Sequence, residues 1–145
     1  MSSLTREQTL ADLMTAHVHV AGPQTPFKVL VRLIEENRVS AIPIVDKHGI
    51  PLGIVSETDL LLSDRRRGRG ASAEGLLVAI DLMTSPPITV PSTIGVAEAA
   101  RLMQERNVRR VVVVDERGKI SGIVSRTDLL HAFLRSDDER TARAI

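Results

Sequence analysis

The chain has 145 residues, of which 43% are hydrophobic, and a formal charge of +1. That is enough to build one compact domain, with two halves sharing a core, and it gives no whole-protein drive toward nucleic acid or membrane. There is no cysteine, which excludes disulfides, thiolate metal sites and cysteine nucleophiles. No apolar run approaches the ~20 residues of a membrane span and the N-terminus lacks a signal-peptide core, so the chain reads as soluble and cytoplasmic.

In chain order the first landmark is Asp12-Leu13-Met14-Thr15, which returns 69 residues later as Asp81-Leu82-Met83-Thr84. Phe27 to Leu61 realigns with Val96 to Leu130 at the same offset without a gap, and fifteen of those thirty-five positions are identical. Each copy predicts a helix end, a short strand, a helix, a strand, a turn, a strand and a final helix. Thr25-Pro26 suggests an N-cap followed by proline in the first helical position. Phe27, Leu30, Val31 and Ile34 then fall at helical spacing, as do Val96, Ala99, Ala100 and Met103. Two β-branched runs, 41–45 and 110–114, are too short for helices. Asp46-Lys47-His48-Gly49 and Asp115-Glu116-Arg117-Gly118 are turn sequences that lead into strands over Leu52–Val55 and Ser121–Val124. Helices are expected to start near Thr58 and Thr127.

The first copy spans 10–62, an Arg/Gly-rich segment spans 63–78, the second copy spans 79–134, and 135–145 is a charged tail. Arg65, Arg66, Arg67 and Arg69 in the middle segment read as a flexible solvated linker. Without stacking aromatics beside them, contact with nucleic acid is the weaker reading. The fold class is α/β (α+β), with small sheets packed on helices in two copies related by a pseudo-twofold axis.

The polar identities are the informative part of the repeat. Ser56-x-Thr58-Asp59 and Ser125-x-Thr127-Asp128 stand where an apolar strand ends and a helix begins, beside unpaired backbone N–H groups. A carboxylate there repels phosphate but suits the paired hydroxyls of a ribose. Gly53 would let backbone and ligand approach closely. Plain helix capping is the competing explanation, because serine and aspartate have capping-box spacing. A core does not need an identical Gly, Ser, Thr and Asp in each copy, so the repetition favours two related ligand sites.

These motifs resemble the tandem cystathionine-β-synthase (CBS) domain pair, also called a Bateman module. The resemblance covers about Leu10 to Leu134. It rests on the Asp-x-Met-Thr start, the Asp-x-x-Gly turn and the Gly-Ile-Val-Ser-x-Thr-Asp ending, each present twice. It implies two β-α-β-β-α repeats and a non-enzymatic regulatory module that binds AMP, ADP, ATP or S-adenosylmethionine in the cleft between them. It also implies a homodimer and no obligatory cofactor. By the same resemblance Asp59 and Asp128 hold ribose hydroxyls, with Ser56, Thr58, Ser125 and Thr127 near sugar or phosphate. Basic residues ahead of the middle strand, here Arg109 and Arg110, hold phosphates, while the first copy has Ser40 and Ala41. If the copies cross-pair, Asp59 with Arg109 and Arg110 forms the main site, and Asp128 belongs to a second, weaker one. Thr15 and Thr84 are candidates for the base pocket.

The repeats occupy nearly all of the chain, so the expected output passes to a separate effector protein. A structural or dimerising scaffold without a ligand is the alternative. On a strand His17 and His19 would share one face, but two ligands do not complete a zinc site, and His48 and His131 have nothing to unite them, so no metal is expected. Neither a nucleophile elbow nor a Walker-type phosphate loop is present.

Overall fold

The computed structural model describes residues 8–15, 17–70 and 77–134, the side chains of 64–70 excepted. Its elements are a 3-10 turn at Leu10–Asp12, helix α1 (Phe27–Asn37), strands β1 (Ala41–Val45) and β2 (Pro51–Ser56), and helix α2 (Glu57–Gly70). There follow α3 (Ala79–Leu82), β3 (Thr89–Pro91), α4 (Val96–Arg106), β4 (Arg110–Val114) and β5 (Ile120–Ser125). Residues 126–134 form a last helix, α5.

The chain divides into two compact units that do not follow the sequence copies. The Asp59 unit joins 18–70 to 77–87 and 118–120, while the Asp128 unit joins 8–15 and His17 to 88–117 and 121–134. Each unit therefore takes its Asp-Leu-Met-Thr arm from the opposite copy. The arm serves the unit's helix start. The Phe27 N–H donates to the Leu77 carbonyl at 3.0 Å, and the Val96 N–H to the Gln8 carbonyl at 2.9 Å, so an otherwise orphaned helix-terminal donor is satisfied in each unit. Asp81 and Asp12 in turn accept from the backbone N–H of Val78 and Thr9 at 3.0 Å, which gives the arm's aspartate a capping role.

Buried apolar residues form two clusters, one per unit, rather than the single shared core expected from composition. Leu30, Ile42, Ile44, Val55 and Leu82 centre one. Leu10, Val111, Val113, Val124 and Met103 centre the other. A small sheet, two helices and a borrowed arm contribute to each, with Leu60 of α2 in the first cluster and Leu129 of α5 in the second.

Local differences have identifiable causes. Helix α1 starts at Phe27, with Pro26 as its extended N-cap, and the Thr25 Oγ1 accepts from the Gly22 N–H at 3.0 Å instead of capping the helix. Strands β2 and β5 run one residue further at both ends than the apolar pattern suggested. In the Asp128 unit β3 pairs in parallel with β4, aided by a Val112 N–H donation to Ile88 at 2.9 Å. The Asp59 unit has Pro43 at the equivalent position, and without its N–H the ladder shrinks to an Ala21–Ile44 bridge. The segment expected to be a flexible linker from Ser63 onward is helical as far as Gly70. Ser63 itself is buried and donates to the Leu60 carbonyl at 2.6 Å. Residues 71–76 and the charged tail lie outside the described residues.

Both Asp-x-x-Gly turns end on a left-handed glycine, Gly49 at φ 83° and Gly118 at φ 81°. Asp46 Oδ1 accepts from the N–H groups of His48 (2.8 Å) and Ile50 (3.0 Å). The Ile50 hydrogen bond leads in holding this carboxyl below its ordinary value, against a partial desolvation that raises it.

Candidate functional site: two strand–helix turns

The last strand of each copy runs straight into a helix, β2 into α2 and β5 into α5. At the first junction, Asp59 Oδ2 accepts from the Ser56 N–H at 2.8 Å and the Ser56 hydroxyl at 3.0 Å. The Asp59 N–H returns a bond to Ser56 Oγ at 3.2 Å. At the second junction, Asp128 Oδ2 accepts from the Ser125 N–H at 2.8 Å, and the Asp128 N–H donates to Ser125 Oγ at 3.1 Å. Capping and ligand binding were competing explanations for this motif, and the capping box is fully formed in both units. The cap uses only Oδ2. No hydrogen bond from another described residue reaches Oδ1 of either aspartate. A half-buried carboxylate held rigidly by its own turn keeps one oxygen able to accept from a hydroxyl.

Thr58 and Thr127 are exposed beside these aspartates. Ala41 pairs with Ser56 across the antiparallel β1–β2 ladder. The Glu57 N–H reaches the Ser40 carbonyl at 3.0 Å, and the Arg126 N–H reaches the Arg109 carbonyl at 2.9 Å. Arg109 and Arg110 thus belong to the same strand end as Ser125, Thr127 and Asp128, whereas Ser40 and Ala41 accompany Ser56, Thr58 and Asp59. Asp59 and the arginine pair belong to different units.

Gly53 and Gly122 serve packing rather than ligand approach. A Cβ on Gly53 would stand 2.7 Å from Met83 Sδ and 2.8 Å from the Thr84 carbonyl oxygen. On Gly122 it would stand 2.6 Å from Met14 Sδ. The methionine of each arm occupies the space over the glycine, so the two motifs are halves of one contact. The threonines of the arms act through their backbone. Thr84 exchanges N–H donations with Ile54 at 2.9 and 3.1 Å, and the Thr15 N–H donates to the Ile123 carbonyl at 3.3 Å. Their side chains are exposed.

Sequence reasoning passed over one pair of positions, Glu57 and Arg126. They differ between copies inside the most repeated segment, and that contrast was the available signal. Among the described residues no cluster of three or more His, Asp or Glu could hold a metal ion, and no helix is long and apolar enough to cross a membrane.

Comparison with known proteins gives the motifs a context. The CBS domain family model matches residues 10–65 and 78–135. The chloroplastic CBS domain-containing protein CBSX2 of Arabidopsis thaliana is 31% identical over 152 residues, which is 88% of this chain and 64% of that protein. The chain therefore spans slightly less than two thirds of this relative's length. A crystal structure of CBSX2 in complex with AMP superposes with a TM-score of 0.77 at 34% identity, over 90% of this chain and 98% of that one. The CBS domain pair of protein MJ0100, in complex with 5′-methylthioadenosine and S-adenosyl-L-methionine, superposes with a TM-score of 0.78 over 90% of this chain and 98% of that one. Its 22% identity shows the shared fold alone.

Proposed function

We propose that this chain, which belongs to the CBS-domain family, is a non-enzymatic regulatory module that binds an adenine nucleotide and passes the signal to a separate effector. The observation that carries the reading is the spare Oδ1 on each capped aspartate, Asp59 and Asp128. A carboxylate needed only for capping would explain one oxygen and leave the accompanying Thr58 and Thr127 without a role. The AMP complex of the 34%-identical CBSX2 supplies the ligand class. In this reading Asp59 and Asp128 accept from ribose hydroxyls, and Ser56, Thr58, Ser125 and Thr127 face sugar or phosphate. Arg109 and Arg110 provide phosphate donors, and the arms bearing Thr15 and Thr84 adjoin the base.

The module signals to the extent that its ligand favours one arrangement of the protein over another. A homodimer is part of the proposal. Leu61 and Leu130, equivalent positions on α2 and α5, are 74% and 61% exposed, and Phe133 and Leu134 extend the apolar surface of α5. The cytoplasm is the proposed compartment.

Isothermal titration with AMP, ADP, ATP and S-adenosylmethionine tests the reading. Binding of at least one ligand in the micromolar range is expected, and light scattering should show a dimer. No heat from any of the four, at protein concentrations that reveal ~100 μM affinity (about −5.5 kcal/mol), would replace it with the scaffold alternative.

A further inference from the structure

We propose that the residue after the serine, Glu57 in one turn and Arg126 in the other, selects the phosphate charge of the ligand. The Asp128 turn then seats a phosphorylated adenosine, and the Asp59 turn seats an adenosine ligand without phosphate. The inference rests on the nucleotide reading above and assigns each turn its ligand class.

The two residues hold the same place in the backbone. Each is the first residue of its helix, and each donates its N–H to the residue that precedes the middle strand, at 3.0 Å for Glu57 and 2.9 Å for Arg126. Both side chains are exposed. The cap geometry around them matches to within 0.1 Å in both bonds that the units share, 2.8 Å in each unit and 3.2 against 3.1 Å. Geometry therefore does not distinguish the ends, and charge does. Arg126, Arg109 and Arg110 gather at the Asp128 turn, whereas Glu57, Ser40 and Ala41 gather at the Asp59 turn.

The guanidiniums of Arg109 and Arg126 make no hydrogen bond or ion pair with another described residue, so their donors remain available to an anion. A phosphate ester attached to a ribose held by Asp128 Oδ1 would meet these guanidiniums within a Debye length, where opposite charges attract with little screening. The same phosphate on a ribose held by Asp59 would meet the carboxylate of Glu57, with Ser40 and Ala41 in the places that Arg109 and Arg110 hold in the other copy. A nucleoside without phosphate avoids that repulsion. This arrangement reverses the ranking expected from cross-pairing: Asp128 becomes the principal residue for phosphorylated ligands.

The test isolates each turn in the full-length protein. Asp59→Ala leaves the Asp128 turn and Asp128→Ala leaves the Asp59 turn, and each variant is titrated with adenosine and with ATP. With Asp59→Ala, ATP should bind about tenfold more tightly than adenosine, and adding Arg126→Glu should remove most of that ratio. With Asp128→Ala, adenosine should bind at least as tightly as ATP, and adding Glu57→Arg should raise ATP affinity about tenfold. A ratio of two affinities on one protein is insensitive to a small loss of folding, so a structural role alone would not move it. If adenosine binds every variant and the ratio does not change, the charge assignment is wrong while the nucleotide reading stands. If neither ligand binds the unmodified protein, the charge assignment falls, and the nucleotide reading falls with it only if AMP, ADP and S-adenosylmethionine also give no heat.

Discussion

The two strand–helix turns share a backbone and differ in sign. Both are capped by the same Ser–Asp pair at nearly the same distances, yet one gathers three arginines and the other a second carboxylate. The comparison separates two demands on the motif. Serine and aspartate are required to start a helix from a strand end, and they stayed the same in both copies. The residue between serine and threonine takes no part in the cap, so it is free to differ, and it carries the contrast.

The largest effect should come from the glycines beneath the arms. Gly53→Ala should cost about 3 kcal/mol in urea unfolding, because the new methyl meets a backbone carbonyl that cannot move aside. Gly122→Ala should cost about 1–2 kcal/mol, since its nearest neighbours are the flexible Met14 side chain. Met14→Ala should relieve Gly122→Ala in a double-mutant cycle, and Met83→Ala should relieve Gly53→Ala much less. Equal costs and equal rescue would show that the two arm contacts are interchangeable.

A smaller asymmetry lies at the ends of α1 and α4. Arg38 and Asn107 both close their helices at φ 53°, in the left-handed region. Asparagine tolerates that conformation and arginine does not gain from it. Arg38→Gly should therefore stabilise by about 1 kcal/mol, and Asn107→Gly by about half as much. Thermal unfolding that ranks them the other way would point to an interaction of Arg38 that outweighs its backbone.

The smallest effect concerns pH. Asp46 has a folded pKa below its ordinary 3.8, led by the Ile50 N–H. A depressed carboxyl contributes stability that is fully present above 3.8 and lost as pH falls through the folded value. Asp46→Asn should lower the thermal midpoint slightly at neutral pH, and the difference should vanish in strong acid. A difference that persists unchanged there would mean that the amide perturbs the turn sterically.

Much of this was legible in the residues. The β-branched runs, the helical spacing, the Asp-x-x-Gly turns and the Ser-x-x-Asp spacing predict most element starts within a residue or two of those found, because each is a local rule of backbone geometry. The expectations that failed depended on distant partners. Gly53 looked like space for a ligand because Met83, which fills that space, is thirty residues away. The segment after Ser63 looked like linker because Arg and Gly dominate it, yet α2 continues through it to Gly70.

By itself the sequence determined the twofold repeat and the Ser-x-x-Asp spacing at both strand–helix junctions, since these are matters of identity and short spacing. Only the tertiary structure decided which arm packs on which copy. Met14 and Met83 sit in identical motifs, as do Gly53 and Gly122, so either pairing satisfies the same local pattern. The choice of Met14 on Gly122 and Met83 on Gly53 is made by the path of the chain and the close packing of each unit, neither of which periodicity encodes.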